Sequence, residues 1–196
     1  CIEPVFMTVK KEDPSDSVYK KYKHLNIEKH VVDGSTLDLV KGIVFGKGKI
    51  VSEMVKQKPE IVHTTGILLD LLGYRVAKKL NIPQVVSVRN YAPEDYTKKF
   101  GRIKGTFIAQ IHLAMMRHLR SRCEFVCCSQ SLADEYRKNN GITMRYIRNG
   151  VDVEKFNPDS IGSKEECRKQ LGLDKESFIY ITVAQVISRK NIEETI

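Results

Sequence analysis

Short, nearly continuous apolar runs alternate along the chain with longer segments whose apolar residues recur every three or four positions. The runs fall at residues 4–9, 28–32, 60–64, 84–89, 124–129, 145–148 and 178–184. They are rich in Val and Ile and seldom alternate with polar residues. That is how strands read when a parallel sheet buries them on both faces. Helical spacing predicts helices over 37–57, 68–80, 106–120, 132–139 and 164–171. Asn81-Ile82-Pro83 marks a turn between a helix and a strand, and Gly141 and Gly172 stand where helix C-terminal glycines stand. The repeated β–α alternation predicts an α/β fold, a Rossmann-like doubly wound parallel sheet.

The rhythm breaks once. Asn149-Gly150-Val151-Asp152 is a turn signal, and a loop follows through Phe156-Asn157-Pro158 to Gly162. Ser163 then opens a charged helix with Glu165 and Glu166 in its first turn, where the helix dipole favours acids. The expected domains are therefore 1–152 and 153–196. The second is only started, with one helix, one strand and the beginning of a loop, too little to bury a core of its own.

Composition narrows the classes. Apolar residues make up 41% of 196 residues, which excludes a disordered tail, a collagen and a coiled-coil rod. No apolar run approaches the roughly 18 residues that a membrane-spanning helix needs. Five Cys have no regular spacing, Cys127 and Cys128 are adjacent in an apolar run, and there is no Asn-x-Ser/Thr site. A reduced, cytoplasmic chain is expected, at most touching the inner face of a membrane. The formal charge of +9 suits a phosphate-bearing substrate, a nucleic acid or an anionic membrane surface alike.

Several motifs fail. Gly42, Gly46 and Gly48 with Lys47 and Lys49 resemble a phosphate loop, but the spacing is wrong and Ile50 stands where Ser or Thr is needed. No Gly-x-Gly-x-x-Gly or Gly-x-Ser-x-Gly is present. His24, His30, His63, His112 and His118 have no metal-ligand spacing with the cysteines. Basic clusters lie at 20–23, 98–104 and 117–122. Their simplest reading is solvated helix faces. The cluster at 98–104 also leads into an apolar helix with Phe107, Ile108, Ile111, Met115 and Met116, a pattern that suits peripheral contact with an anionic membrane. No nucleic-acid recognition module is legible.

Asn149-Gly150-Val151-Asp152 followed by Phe156-x-Pro158 resembles the interdomain signature of glycosyltransferase family 4, the retaining GT-B enzymes. The likeness extends in order along the chain. Lys58-Pro59-Glu60-Ile61-Val62-His63 resembles that family's KPDIVH strand. Ile82-Pro83 and the strand ending at Arg89-Asn90-Tyr91 resemble the next. The run from Val126 to Ser129, then Gln130-Ser131-Leu132, resembles a strand and helix joined at a serine. Arg168 to Gly172 resembles R-x-x-LG, and Ile181 to Asn191 the strand and loop written VGRL…KN. The resemblance covers about residues 58–196.

The resemblance implies two Rossmann-like domains, the first for the acceptor and the second for a nucleoside-diphosphate sugar. It implies no metal, since basic side chains and a helix N-terminus take the diphosphate charge. It implies donor contacts at Asn149, Gly150, Gln185 and Lys190, and acceptor contacts at His63, Arg89, Asn90 and Ser129. Two departures stand out. Gln185 and Ala184 replace the family's Arg and Gly, so a neutral donor stands where a charge is usual. The family's catalytic glutamates lie downstream of Ile196 and its Gly-Gly loop upstream of Cys1, so the chain reads as a fragment that is inactive alone. Each residue keeps a structural alternative. His63 can make a plain structural hydrogen bond, Ser129 can cap a helix, Asn149-Gly150 can be a tight turn, and Lys190 can be an exposed surface lysine. The function expected is transfer of a sugar to an acceptor hydroxyl with retention. The rivals are a non-catalytic acceptor- or partner-binding module and, less favoured, a basic nucleic-acid-binding protein.

Overall fold

The protein is described by a computed structural model over residues 3–9, 27–184 and 192–195. The chain divides into two compact units, Cys1–Arg148 and Asn149–Ile196.

The first unit is mixed α/β with parallel sheets. Strands β1 (Val5–Thr8) and β2 (Glu28–Val31) pair in parallel as a two-stranded sheet. Strands β3 (Val62–Thr64), β4 (Gln84–Val88), β5 (Cys123–Cys127) and β6 (Arg145–Tyr146) form a second parallel sheet in that order. Each crossover of the second sheet carries helices: α3 (Ile67–Leu80), then α4 (Ala92–Phe100) with α5 (Arg102–Leu119), then α6 (Gln130–Asn140). The strands advance one way, so right-handed crossovers stack these helices on one face.

Burial follows from that. Val86, Val88, Phe125 and Cys127 point into a core with Leu113, Met116 and Leu119 of α5 and Leu132 and Tyr136 of α6. The residues between them point the other way: His63, Arg89 and Glu124 are exposed and Val85, Ser87, Val126 and Cys128 half-buried. Burial on both faces, expected from the continuous apolar runs, is not seen among the described residues. A second core joins Val32, Ile50, Val51, Val62, Leu72 and Val76 beneath α1 (Thr36–Phe45) and α2 (Lys49–Lys56).

Several expectations need correction. The single helix over 37–57 is two helices, because Gly46 (φ 61°) and Gly48 (φ 112°) take left-handed or otherwise strained backbone that ends one helix before the next begins. The expected helix over 106–120 starts at Arg102, and α4 precedes it unforeseen. Pro93 in its first turn with Glu94 and Asp95 was the overlooked signal. Asn81, at φ 55°, supplies the left-handed cap of α3 just before Pro83.

In the second unit α7 (Lys164–Gln170) begins with a capping box. Ser163 Oγ accepts from Glu166 N at 3.3 Å, and Glu166 Oε2 accepts from Ser163 N at 2.7 Å. Gly172 N donates to the Lys169 carbonyl and Leu173 N to that of Arg168, closing the helix in a Schellman motif. The strand expected over 178–184 is not formed. These residues are exposed and have no neighbouring strand among the described residues to share their backbone hydrogen bonds. None of the unit's described residues is buried. No helix of the described residues is long and apolar enough to cross a membrane.

Candidate functional site

The strands β3, β4 and β5 end side by side, because the parallel register sets Thr64 opposite Val86 and Val88 opposite Cys127. Ligands bind at such C-terminal strand edges in open α/β sheets. Four of the expected acceptor residues lie at or near this edge. His63 is in β3, Arg89 and Asn90 follow β4, and Ser129 follows β5.

His63 projects from the uncovered face of the sheet. Its Nε2 lies 2.7 Å from Ser87 Oγ. Thr65 Oγ1 donates to the Ser87 carbonyl at 3.2 Å, tying the end of β3 to β4. Arg89 is exposed, and its carbonyl accepts from the Cys128 thiol at 3.6 Å, which joins β4 to β5 at the edge. The Asn90 carbonyl accepts from Tyr136 Oη at 3.1 Å, and the same hydroxyl accepts from Ala92 N at 2.9 Å. Tyr136 is fully buried, and burial pushes its phenol up to about 12. It stays neutral and clamps the turn that presents Arg89 and Asn90. Tyr91 Oη donates to Asn140 Oδ1 at 3.1 Å and stacks edge-on against Tyr136, holding the same turn from outside.

Ser129 caps α6. Its Oγ accepts from Leu132 N at 3.2 Å and lies 3.1 Å from Ser131 Oγ. The first turns of α3, α4 and α6 all start at this edge, so their N-terminal backbone dipoles face it. Neither α3, after Gly66, nor α4, after Tyr91, has a side-chain cap. The edge thus combines one guanidinium, amide and hydroxyl groups and free helix N–H groups. Such a set suits hydrogen bonding to vicinal sugar hydroxyls or to an anionic group.

Behind the edge lies a buried polar cluster. Asp70, 6% exposed in the first turn of α3, has no hydrogen-bond partner for Oδ1 among the described residues. Burial raises its carboxyl to about 6. Gln84 Nε2 donates to Thr64 Oγ1 and to the Asp70 carbonyl, both at 3.0 Å, and Cys123 Sγ donates to Gln84 Oε1 at 3.0 Å. Burial pushes the Cys123 thiol up to about 11. A shallow hollow of about 190 Å³, lined by Tyr74, Lys78, Asn81 and Arg122 among others, lies at the opposite ends of β4 and β5.

Asn149 and Gly150 open the second unit. Both are exposed, and the turn their sequence suggests comes later: Asp152 accepts from Lys155 N through its carboxylate and from Phe156 N through its carbonyl. Gln185 and Lys190 lie outside the described residues. Thr65, Ser87 and Tyr136 were missed from the sequence. Tyr136 had a signal, an aromatic hydroxyl on the apolar side of a polar helix, which needs a partner when buried.

The family model of Glycosyltransferase Family 4 matches residues 5–155. The chain therefore belongs to that family. Comparison with curated proteins gives no match. Among solved structures it resembles the crystal structure of a glycosyltransferase from Rickettsia africae ESF-5, with a TM-score of 0.54 and 16% identity over 88% of this chain. It spans 42% of that chain's length. At this identity the likeness shows the fold, a Rossmann-like glycosyltransferase domain.

Proposed function

From its place in Glycosyltransferase Family 4, we propose that the chain carries the acceptor side of a retaining glycosyltransferase. The donor is a nucleoside-diphosphate sugar. The bond from the anomeric carbon to the diphosphate breaks, a bond to the acceptor oxygen forms on the same face of the ring, and the acceptor hydroxyl's proton passes to the departing diphosphate. Residues 1–152 form the acceptor domain and residues 153–196 begin the donor domain. His63, Arg89, Asn90 and Ser129 contact the acceptor. Asn149, Gly150, Gln185 and Lys190 belong to the donor side, where Lys190 and a helix N-terminus offset the diphosphate charge in place of a metal. The protein acts in the cytoplasm, and its described cysteines are free thiols.

The observation that carries the reading is the family match over residues 5–155. The exposed polar edge at Arg89 and Asn90 supports it. The test uses the natural product isolated from its own cells, given a panel of nucleoside-diphosphate sugars with a cell extract as acceptor source. Release of nucleoside diphosphate coupled to a glycosylated product is expected, with the anomeric configuration kept by proton NMR. Arg89→Ala with Asn90→Ala should reduce transfer at least tenfold at unchanged thermal stability. A natural product that binds glycans yet releases no nucleoside diphosphate with any donor would make it a binding module.

A further inference from the structure

Helix α5 faces two ways. Its inner side supplies Leu113, Met116 and Leu119 to the core. Its outer side exposes Ile103 (90%), Phe107 (67%) and Ile111 (46%), with Phe100 exposed at the turn before it. The spacing of four places these three residues in one stripe about 12 Å long. Met116 and Ile108, which the sequence pattern grouped with them, are buried and half-buried. The stripe is flanked by Lys98, Lys99, Arg102 and Lys104. Lys99 Nζ lies 5.3 Å and Lys104 Nζ 5.7 Å from the Phe100 ring centroid. From Arg102 to Leu119 there is no acidic residue, and Glu94 on α4 is paired with Lys98.

We infer that this face of α4 and α5 docks on an anionic lipid surface. The apolar stripe lies in the interfacial plane, with Ile103, Phe107 and Ile111 among the upper acyl chains, while Lys99, Arg102 and Lys104 meet the headgroup phosphates. Charge decides the occupant. A second copy of this face offers no carboxylate between Arg102 and Leu119 to pair with Lys99, Arg102 and Lys104. The aliphatic side chains of Ile103 and Ile111, both exposed, have no use on a phosphate backbone. Topology adds a consequence. Helix α4 starts at the C-terminal edge of β4 and α5 runs back toward the start of β5, so the stripe begins on the same side of the sheet as Arg89 and Asn90.

The test is flotation of the chain with vesicles of pure phosphatidylcholine and of equimolar phosphatidylcholine and phosphatidylglycerol. Binding to the mixed vesicles only, weakening as salt rises, is expected. Lys99→Glu with Arg102→Glu and Lys104→Glu should cut partitioning at least tenfold. So should Ile103→Ser with Phe107→Ser, whose exposed positions leave folding intact by circular dichroism. Three results would overturn the inference: no binding by the wild type, equal binding to neutral vesicles, or binding retained in both variants. So would a wild-type dimer that Ile103→Ser with Phe107→Ser converts to monomer at unchanged vesicle binding.

Discussion

The two faces of the four-stranded sheet come from the same strands yet behave as different materials. On one face Val86, Val88, Phe125 and Cys127 are sealed beneath α3, α5 and α6. On the other, one residue along in each strand, His63, Ser87, Arg89 and Glu124 meet solvent or are half-covered. Because side chains alternate along a strand, covering one face fixes which residues the other presents. The covered face holds the fold together, and the other face and its edge present the residues proposed to bind the acceptor. Arg89 can therefore change without cost to the core, while its position depends on Tyr136, which belongs to the covered side.

The sharpest way to break this comparison is to truncate one residue on each face. Phe125→Ala should cost about 4 kcal/mol in urea unfolding, whereas Val126→Ala, half-exposed on the other face, should cost less than about 1 kcal/mol. Equal losses would mean that both faces are buried.

Asp70 tests how dry the covered side is. Its carboxyl takes a proton near pH 6 when folded but near 3.8 when unfolded. The folded state thus binds the proton more tightly. The cost of the buried charge is fully present above about pH 6, shrinks as pH falls between 6 and 4, and is absent below the unfolded value. Asp70→Asn should stabilise the protein by up to about 3 kcal/mol at pH 8 and hardly at all at pH 4. A gain independent of pH would contradict the burial of that charge.

The helical layer can be tested at Gly105. A Cβ there would meet the Tyr96 carbonyl and the Thr97 backbone of α4, and backbone cannot swing aside as a side chain can. Gly105→Ala should cost about 2 kcal/mol and lower the helical signal of the α4–α5 pair. A smaller effect is expected at the edge. Ser129→Ala removes the cap of α6 and should cost about 1 kcal/mol. No loss would leave Ser129 free to act only as a ligand contact.

The sequence revealed most of the covered side. Alternation of apolar runs and helical spacing located β3 to β6, α3 and α6, because burial leaves a pattern in the residues. The other face was read as buried, whereas its described residues are half-buried or exposed. Val85-Val86 and Phe125-Val126 look the same whether one face is sealed or two, since strand periodicity cannot report which helices arrive from elsewhere in the chain. Helix α4 was missed because its charged residues, Glu94, Asp95, Lys98 and Lys99, dilute its apolar period. At the edge, Arg89, Asn90 and Ser129 were legible from resemblance, but the partners that hold them were not. Ser87 and Tyr136 are 24 and 46 positions from His63 and Asn90, beyond the reach of any local pattern.

The most direct test of the account is an amide chemical-shift titration of the chain with a panel of methyl glycosides. The account predicts shifts at Thr65, Gly66, Arg89, Asn90 and Ser131 along the C-terminal edge, lost in Arg89→Ala. Shifts confined to the hollow at Lys78, Asn81 and Arg122, or shifts that survive Arg89→Ala unchanged, would contradict it.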